Sequence, residues 1–176
     1  MIRFVSTVLT ATVIAAPVFA ESHLSEGAAL GEAAFKLCQS CHVVVDDDGT
    51  VIAGRSAKSG PNLYGIVGRQ AGTVESFRYG KSLVAAGEAG LTWDEEQMVA
   101  YLLDPKKYLR EYLDDSSARS KMSFKARPDK KNDLTAEEVA ANFYAFLAEV
   151  GPEMDMDMDM DMDMEADETS ETENSD

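Results

Sequence analysis

Apolar residues recur at helical spacing in four stretches of this chain, and nowhere do they alternate for long as they would in a strand. From Ser25 to Leu37, the side chains of Leu30, Ala34 and Leu37 share one face, with Ala33 and Phe35 flanking. Ser25 suits the cap of that helix and Glu26 its first turn. Gly27 and Gly31 are costly inside a helix, so another element is expected to approach closely there. Thr92-Trp93-Asp94-Glu95 reads as a capping box opening a second helix that ends before Pro105. Met98, Val99 and Leu102 form its expected buried face, with Tyr101 and Leu103 beside them. Pro105 then opens a short helix running to about Leu113. Thr135-Ala136-Glu137-Glu138 is another capping box. The stripe Val139, Phe143, Phe146, Leu147 and Val150 follows it, stopped by Gly151-Pro152. Between the helices, Asp46 to Gly49 predicts a turn within an irregular excursion reaching Gly60. Residues 70–91 predict a glycine-rich surface loop packed by Phe77, Tyr79 and Leu83, and Asp114 to Ser120 a polar loop. The pattern is that of an all-α fold.

The two ends of the chain read differently. Arg3, the apolar run Phe4 to Ala16 and the small-residue site Val18-Phe19-Ala20 read as a signal peptide, with cleavage expected after Ala20. The run is shorter than the roughly 20 residues a spanning helix prefers, so no stable membrane insertion is expected after cleavage. Residues 152–176 hold twelve of the 32 acidic residues and no Lys or Arg, with Met and Asp alternating from Met154 to Met164. Without aromatic or β-branched apolar residues, this tail is expected to be disordered. Its thioethers and carboxylates could bind Cu(I) or hard cations, but a solvated tail fits the composition better. The expected organisation is therefore leader 1–20, folded domain 21–151 and tail 152–176.

The net charge of −16 comes mainly from that tail. Asp104 to Lys131 carries nine bases against five acids. Nucleic acid is an unsuitable partner for such a chain, whereas a protein with an acidic docking face suits the basic stretch.

The chemistry concentrates in Cys38-Gln39-Ser40-Cys41-His42. Two cysteines three apart followed directly by histidine read as a site of c-type haem attachment. On a helical turn the two thiols share a face, and each can add to one vinyl group of the same porphyrin. His42 is then close enough to bind the iron. A thioredoxin-like pair would need a βαβ context, and a zinc site further ligands where only His23 remains. A disulfide over so short a spacer would be reactive rather than structural. An Asp46-Asp47-Asp48 calcium loop lacks the EF-hand spacing. Pro61 presents a free carbonyl that could accept the Nδ1 proton of His42 and orient the ring.

Taken together, Cys38-Gln-Ser-Cys-His42, Gly60-Pro-Asn-Leu-Tyr-Gly65 with Gly68-Arg69, Leu91-Thr-Trp93, Asp104-Pro-Lys-Lys-Tyr108 and Lys121-Met-Ser-Phe124 resemble class I cytochromes c. The longer loops around 46–58 and 109–120 resemble the bacterial cytochrome c2 branch. The resemblance runs from about Gly27 to Val150 and leaves the Met-Asp tail out. It implies helices and Ω-type loops wrapped around one covalently attached haem c. It implies Met122 as the second axial ligand, beside His42, and Tyr101 as a hydroxyl reaching the ligand sulfur. Arg69, Tyr79 and Trp93 resemble the group that hydrogen-bonds the buried propionate. Gly80 and Leu83 depart from the mitochondrial pattern, where polar groups often stand. Gly31 resembles the glycine where the first and last helices cross.

The resemblance implies a monomeric periplasmic electron carrier and not an enzyme, cycling Fe(II)/Fe(III). Its implied donor is a cytochrome bc1 complex and its acceptor a photosynthetic reaction centre or terminal oxidase. Lys36, Lys58, Lys106, Lys107, Lys121 and Lys125 are candidates for a basic docking rim. A haem peroxidase or gas sensor with a labile sixth ligand is the alternative.

Overall fold

The structure, a computed structural model, describes residues 24–152. The expected leader and the Met-Asp run from residue 153 onward lie outside the described residues.

Helix α1 (Glu26–Ala34) starts where the Ala28 N–H donates to the Ser25 hydroxyl at 3.2 Å. It tightens into a 3₁₀ turn over Phe35–Leu37. The last helix, α5 (Ala136–Glu149), opens on the full capping box. The Glu138 N–H donates to Thr135 Oγ1 at 3.2 Å, and the Thr135 N–H to Glu138 Oε2 at 2.7 Å. The two helices pack directly on one another, and Gly31 of α1 is the reason they can. A Cβ on Gly31 would lie 2.0 Å from the Asn142 carbonyl oxygen and 2.8 Å from Phe146 Cβ. At that spacing Phe35 and Phe146 meet with ring centroids 5.7 Å apart, and both are buried. The Ser25 N–H, donating to Glu149 Oε2 at 2.9 Å, ties the start of α1 to the end of α5.

Three further helices complete the all-α frame: α2 (Lys81–Glu88), α3 (Glu95–Leu103) and α4 (Pro105–Tyr112). Helix α3 packs on α5, and α4 follows it across Asp104. The Asp104 carboxylate accepts from the Lys107 N–H at 3.1 Å, and Pro105 fills the first helical position, where its missing N–H costs nothing. No helix among the described residues is long and apolar enough to cross a membrane.

The structure corrects four expectations. Residues 70–91 are not wholly loop, because α2 occupies their second half. Its cap, Gly80, makes no side-chain hydrogen bond, and Gly87 sits inside the helix, so local signals were weak. Gly87 is required there by packing, since a Cβ would lie 1.9 Å from the Ala71 carbonyl oxygen. Helix α3 is capped by Asp94, which accepts from the Gln97 N–H at 2.8 Å, rather than by Thr92. Its buried residues are Met98 and Tyr101, while Val99 and Leu102 are half-buried. The excursion after His42 contains a small antiparallel hairpin of β1 (Val44–Val45) and β2 (Val51–Ala53), closed by the Asp46–Gly49 turn. Asp46 spends its carboxylate on the Thr50 N–H at 2.7 Å, and no group of three or more His, Cys, Asp or Glu converges as a metal site among the described residues.

Candidate haem-binding site

The 3₁₀ turn after α1 delivers the Cys38–His42 motif. The N–H groups of Cys41 and His42 both donate to the Cys38 carbonyl at 2.9 Å, folding the five residues into one turn. Cys38 is half-buried and Cys41 exposed; neither is in a disulfide. Burial pushes the Cys38 thiol up to about 12, whereas hydrogen bonds from Ser59 and Ser40 hold the Cys41 thiol below its ordinary value.

His42 is fixed by the segment that follows the hairpin. Its Nδ1 lies 3.0 Å from the Pro61 carbonyl oxygen, which requires the proton on Nδ1 and leaves Nε2 as the free ring nitrogen. Burial holds the imidazole below its ordinary value, with the Pro61 carbonyl working the other way. Gly60 lies against the ring: a Cβ there would come within 2.5 Å of Cε1 and 2.6 Å of Nδ1. The Asn62 side chain pins this segment to β1, accepting from the Val45 N–H at 3.0 Å and donating to the Val45 carbonyl at 2.7 Å.

These groups line one cavity of about 440 Å³. It collects Cys38, Cys41 and His42 from the turn after α1, Pro61, Tyr79 and Met122 from loops, Trp93 from just before α3 and Tyr101 from α3 itself. Leu63, Ile66, Met98 and Phe143 add apolar surface, and Gly80 and Leu83 also lie on the wall. Met122 is half-buried, and its backbone N–H donates to Ser120 Oγ at 3.0 Å. The Tyr101 hydroxyl lies 3.3 Å from the same Ser120 Oγ, so Ser120 links it to the Met122 backbone. Burial raises the pKa of both Tyr79 and Tyr101, keeping the phenols protonated. Arg69 is not among the lining residues; its Nη2 donates to the Tyr64 carbonyl at 3.0 Å. Trp93 is buried edge-on against Tyr101 at 5.0 Å between centroids.

Gly60 and Ser120 carried no functional reading from sequence. Gly60 stands in a quoted motif, but only the ring lying against it explains the missing side chain. Nothing local distinguishes Ser120 from the other serines of its loop.

The residues fit a haem. The cavity is of cofactor size and mainly apolar. It offers two thiols on one turn, an imidazole with Nε2 free, a thioether, and phenol and indole groups as hydrogen-bond donors. That donor set is the one c-type haem proteins use for covalent attachment and for iron.

Among curated proteins, the chain is 54% identical over 127 residues to cytochrome c-551 of Roseobacter denitrificans, covering 72% of this chain and 87% of that protein. It is 52% identical over 128 residues to cytochrome c2 of Rhodovulum adriaticum, covering 73% of this chain and 95% of that one. The crystal structure of cytochrome c2 from Rhodobacter sphaeroides superposes with a TM-score of 0.64 at 49% identity, spanning 72% of this chain and 97% of that one. The ferric cytochrome c-550 of Paracoccus versutus gives 0.60 at 41% identity, spanning 71% and 98%. No family model matches the chain.

Proposed function

Because this chain belongs to the class I cytochromes c of the cytochrome c2 type, with one covalently attached haem c, we propose that it is a soluble periplasmic electron carrier ligated by His42 and Met122. Cys38 and Cys41 would hold the haem through thioether bonds. When bound, the haem supplies one-electron chemistry, its iron alternating between ferrous and ferric. The observation that carries the reading is the single cavity on which His42, oriented by Pro61, and Met122 both stand.

The chain's own residues set the conditions for that chemistry. The Pro61 carbonyl accepts from Nδ1, which fixes the tautomer and makes Nε2 a better donor to a metal. A thioether partner favours the reduced metal and so raises the potential. Buried Trp93, Met98 and Tyr101 exclude water and keep the local dielectric low. With His42 and Met122 both available to hold the iron from one cavity, no position would remain for a substrate, as a carrier requires and a peroxidase or sensor does not.

Basic groups surround the Met122 side of the cavity. Arg119 and Lys121 line it, and a second hollow carrying Lys106, Lys107, Arg110 and Lys125 shares Ser120, Met122 and Ser123 with it. Lys36 and Lys58 are exposed but line neither hollow. This charge supports docking to acidic faces, those of a cytochrome bc1 complex as donor and of a photosynthetic reaction centre or terminal oxidase as acceptor. Such encounters would be fast and salt-sensitive rather than tight. Export would leave a mature chain beginning at Glu21, with residues 21–151 as the folded domain.

The test is spectroscopic. The purified protein should give a pyridine haemochrome of the c type that acid solvent does not extract. Its ferric form should show a weak near-infrared sulfur-to-iron band that Met122→Ala abolishes. A high-spin ferric wild type lacking that band would overturn the ligation, and extractable haem would overturn the attachment.

A further inference from the structure

The second hollow runs along α4 and is lined by Lys106, Lys107, Arg110 and Lys125 around Pro105 and Met122. Two of the four cations have carboxylate partners among the described residues: Lys107 pairs with Glu111 at 3.6 Å, and Lys125 with Asp104. Lys106 and Arg110 have none among them. With Asp104 and Glu111 the only acids on its wall among the described residues, those residues give the hollow a net +2, in a chain whose overall charge is −16. The same chain carries the complementary segment. Residues 153–176 contain twelve acids and no cation, and alternation of period two sorts thioethers and carboxylates onto opposite sides of any extended stretch.

We propose that this hollow is the docking site of the chain's own acidic tail, with the Asp155–Asp163 carboxylates opposite Lys106, Lys107, Arg110 and Lys125. Length permits it. Pro152 ends the described chain against Gly65, where a Cβ on Gly65 would lie 3.2 Å from Pro152 Cδ. A domain of this size has a radius of gyration of about 14 Å. The 11 residues from 153 to 163 span about 18 Å as a random coil and up to roughly 40 Å when extended, enough to cross such a domain. Tethering places the carboxylates at an effective concentration on the order of millimolar, so weak exposed pairs suffice. Because the pairs are exposed, docking is strong when the Debye length is about 30 Å, at 0.01 M salt, and is largely screened at 1 M. The hollow shares Met122 with the cofactor cavity, so an occupied hollow denies part of the basic face to an acidic redox partner; that consequence alone rests on the carrier reading.

The experiment compares reduced, haem-loaded full-length protein with a variant in which Asp155, Asp157, Asp159, Asp161 and Asp163 are all changed to Asn. Backbone amide and lysine side-chain NMR spectra are recorded at 0.01 M and 1 M salt. At low salt the two proteins should differ at Lys106, Lys107, Arg110 and Lys125, and at 1 M the differences should collapse at least fivefold. Identical low-salt spectra over residues 104–125 would overturn the proposal. So would differences that grow with protein concentration, which would assign the tail to a second copy, or differences that appear only with added Cu(I) or Ca²⁺. No redox partner enters the measurement, so its failure is distinct from failure of the carrier reading.

Discussion

The contact of α1 with α5 gives the sharpest test, because two glycines on one helix are predicted to behave oppositely. Gly31→Ala would gain about 1 kcal/mol of helix propensity. Its Cβ, however, would stand 2.0 Å from the Asn142 carbonyl oxygen and 2.7 Å from the Asn142 carbonyl carbon. These are backbone atoms held in α5 and cannot rotate aside. Relief therefore requires the helices to part by about 1 Å, and a gap of that size forfeits a quarter to a half of each dispersion contact along the interface. The fully buried Phe146 and its partner Phe35 lose most. Overpacking of this kind costs about 3 kcal/mol, the upper end of its usual range. The net loss is then about 2 kcal/mol, and the melting temperature should fall by about 8 °C. Gly27→Ala makes the same propensity gain, but its Cβ meets the Asn142 amide oxygen at 3.1 Å, and that side chain can turn. It should leave stability unchanged or raise it by up to about 1 kcal/mol. Guanidinium titrations of the haem-loaded proteins, followed by far-ultraviolet circular dichroism, measure both. A Gly31→Ala protein as stable as its parent, or a Gly27→Ala protein losing equally, would refute the assignment of this crossing to backbone contact.

Two further predictions concern the α5 cap and the imidazole. Thr135→Ala removes the capping hydroxyl and should cost about 1 kcal/mol in the same titration. The Glu138 carboxyl is held below its ordinary value by the Thr135 N–H and hydroxyl. The folded state therefore binds fewer protons than the unfolded one in the acid range, and the stabilisation is present above about pH 4.3 and lost as pH falls through the lower folded value. Glu138→Gln should flatten that acid limb; an unchanged limb counts against the reciprocal box. Gly60→Ala places a Cβ within 2.8 Å of three atoms of the His42 ring. The ring must move, so the Nδ1–H resonance should shift and stability should fall by about 1–3 kcal/mol. An unmoved resonance would show that the glycine is not shaped to the ring.

Much of this protein is written in short-range chemistry. Ser25 and the Thr135–Glu138 box mark helix ends through hydrogen bonds that span three residues, and Pro105 marks one by its fixed backbone angle and missing N–H, so all are legible without a fold. The cysteine pair and adjacent histidine are legible for the same reason: one turn of backbone brings them together. Met122 is different. A lone methionine says nothing by itself, and only the resemblance singled it out; sharing a cavity with His42, some eighty residues away, is a property of the packed chain. Helix α2 escaped a local reading because Gly80 offers no capping side chain and Gly87 weakens the helix it belongs to. The Ala71 carbonyl that excludes a side chain at Gly87 reaches it only after folding. Gly60 and Ser120 acquire roles in the same way, from a ring and a phenol that come from other segments. The sequence by itself determined where α1, α4 and α5 begin and which turn carries the thiols, since those depend on neighbours along the chain. Which side chains share the cavity, and which glycines must stay bare, depended on contacts between distant segments, and only tertiary packing decided them.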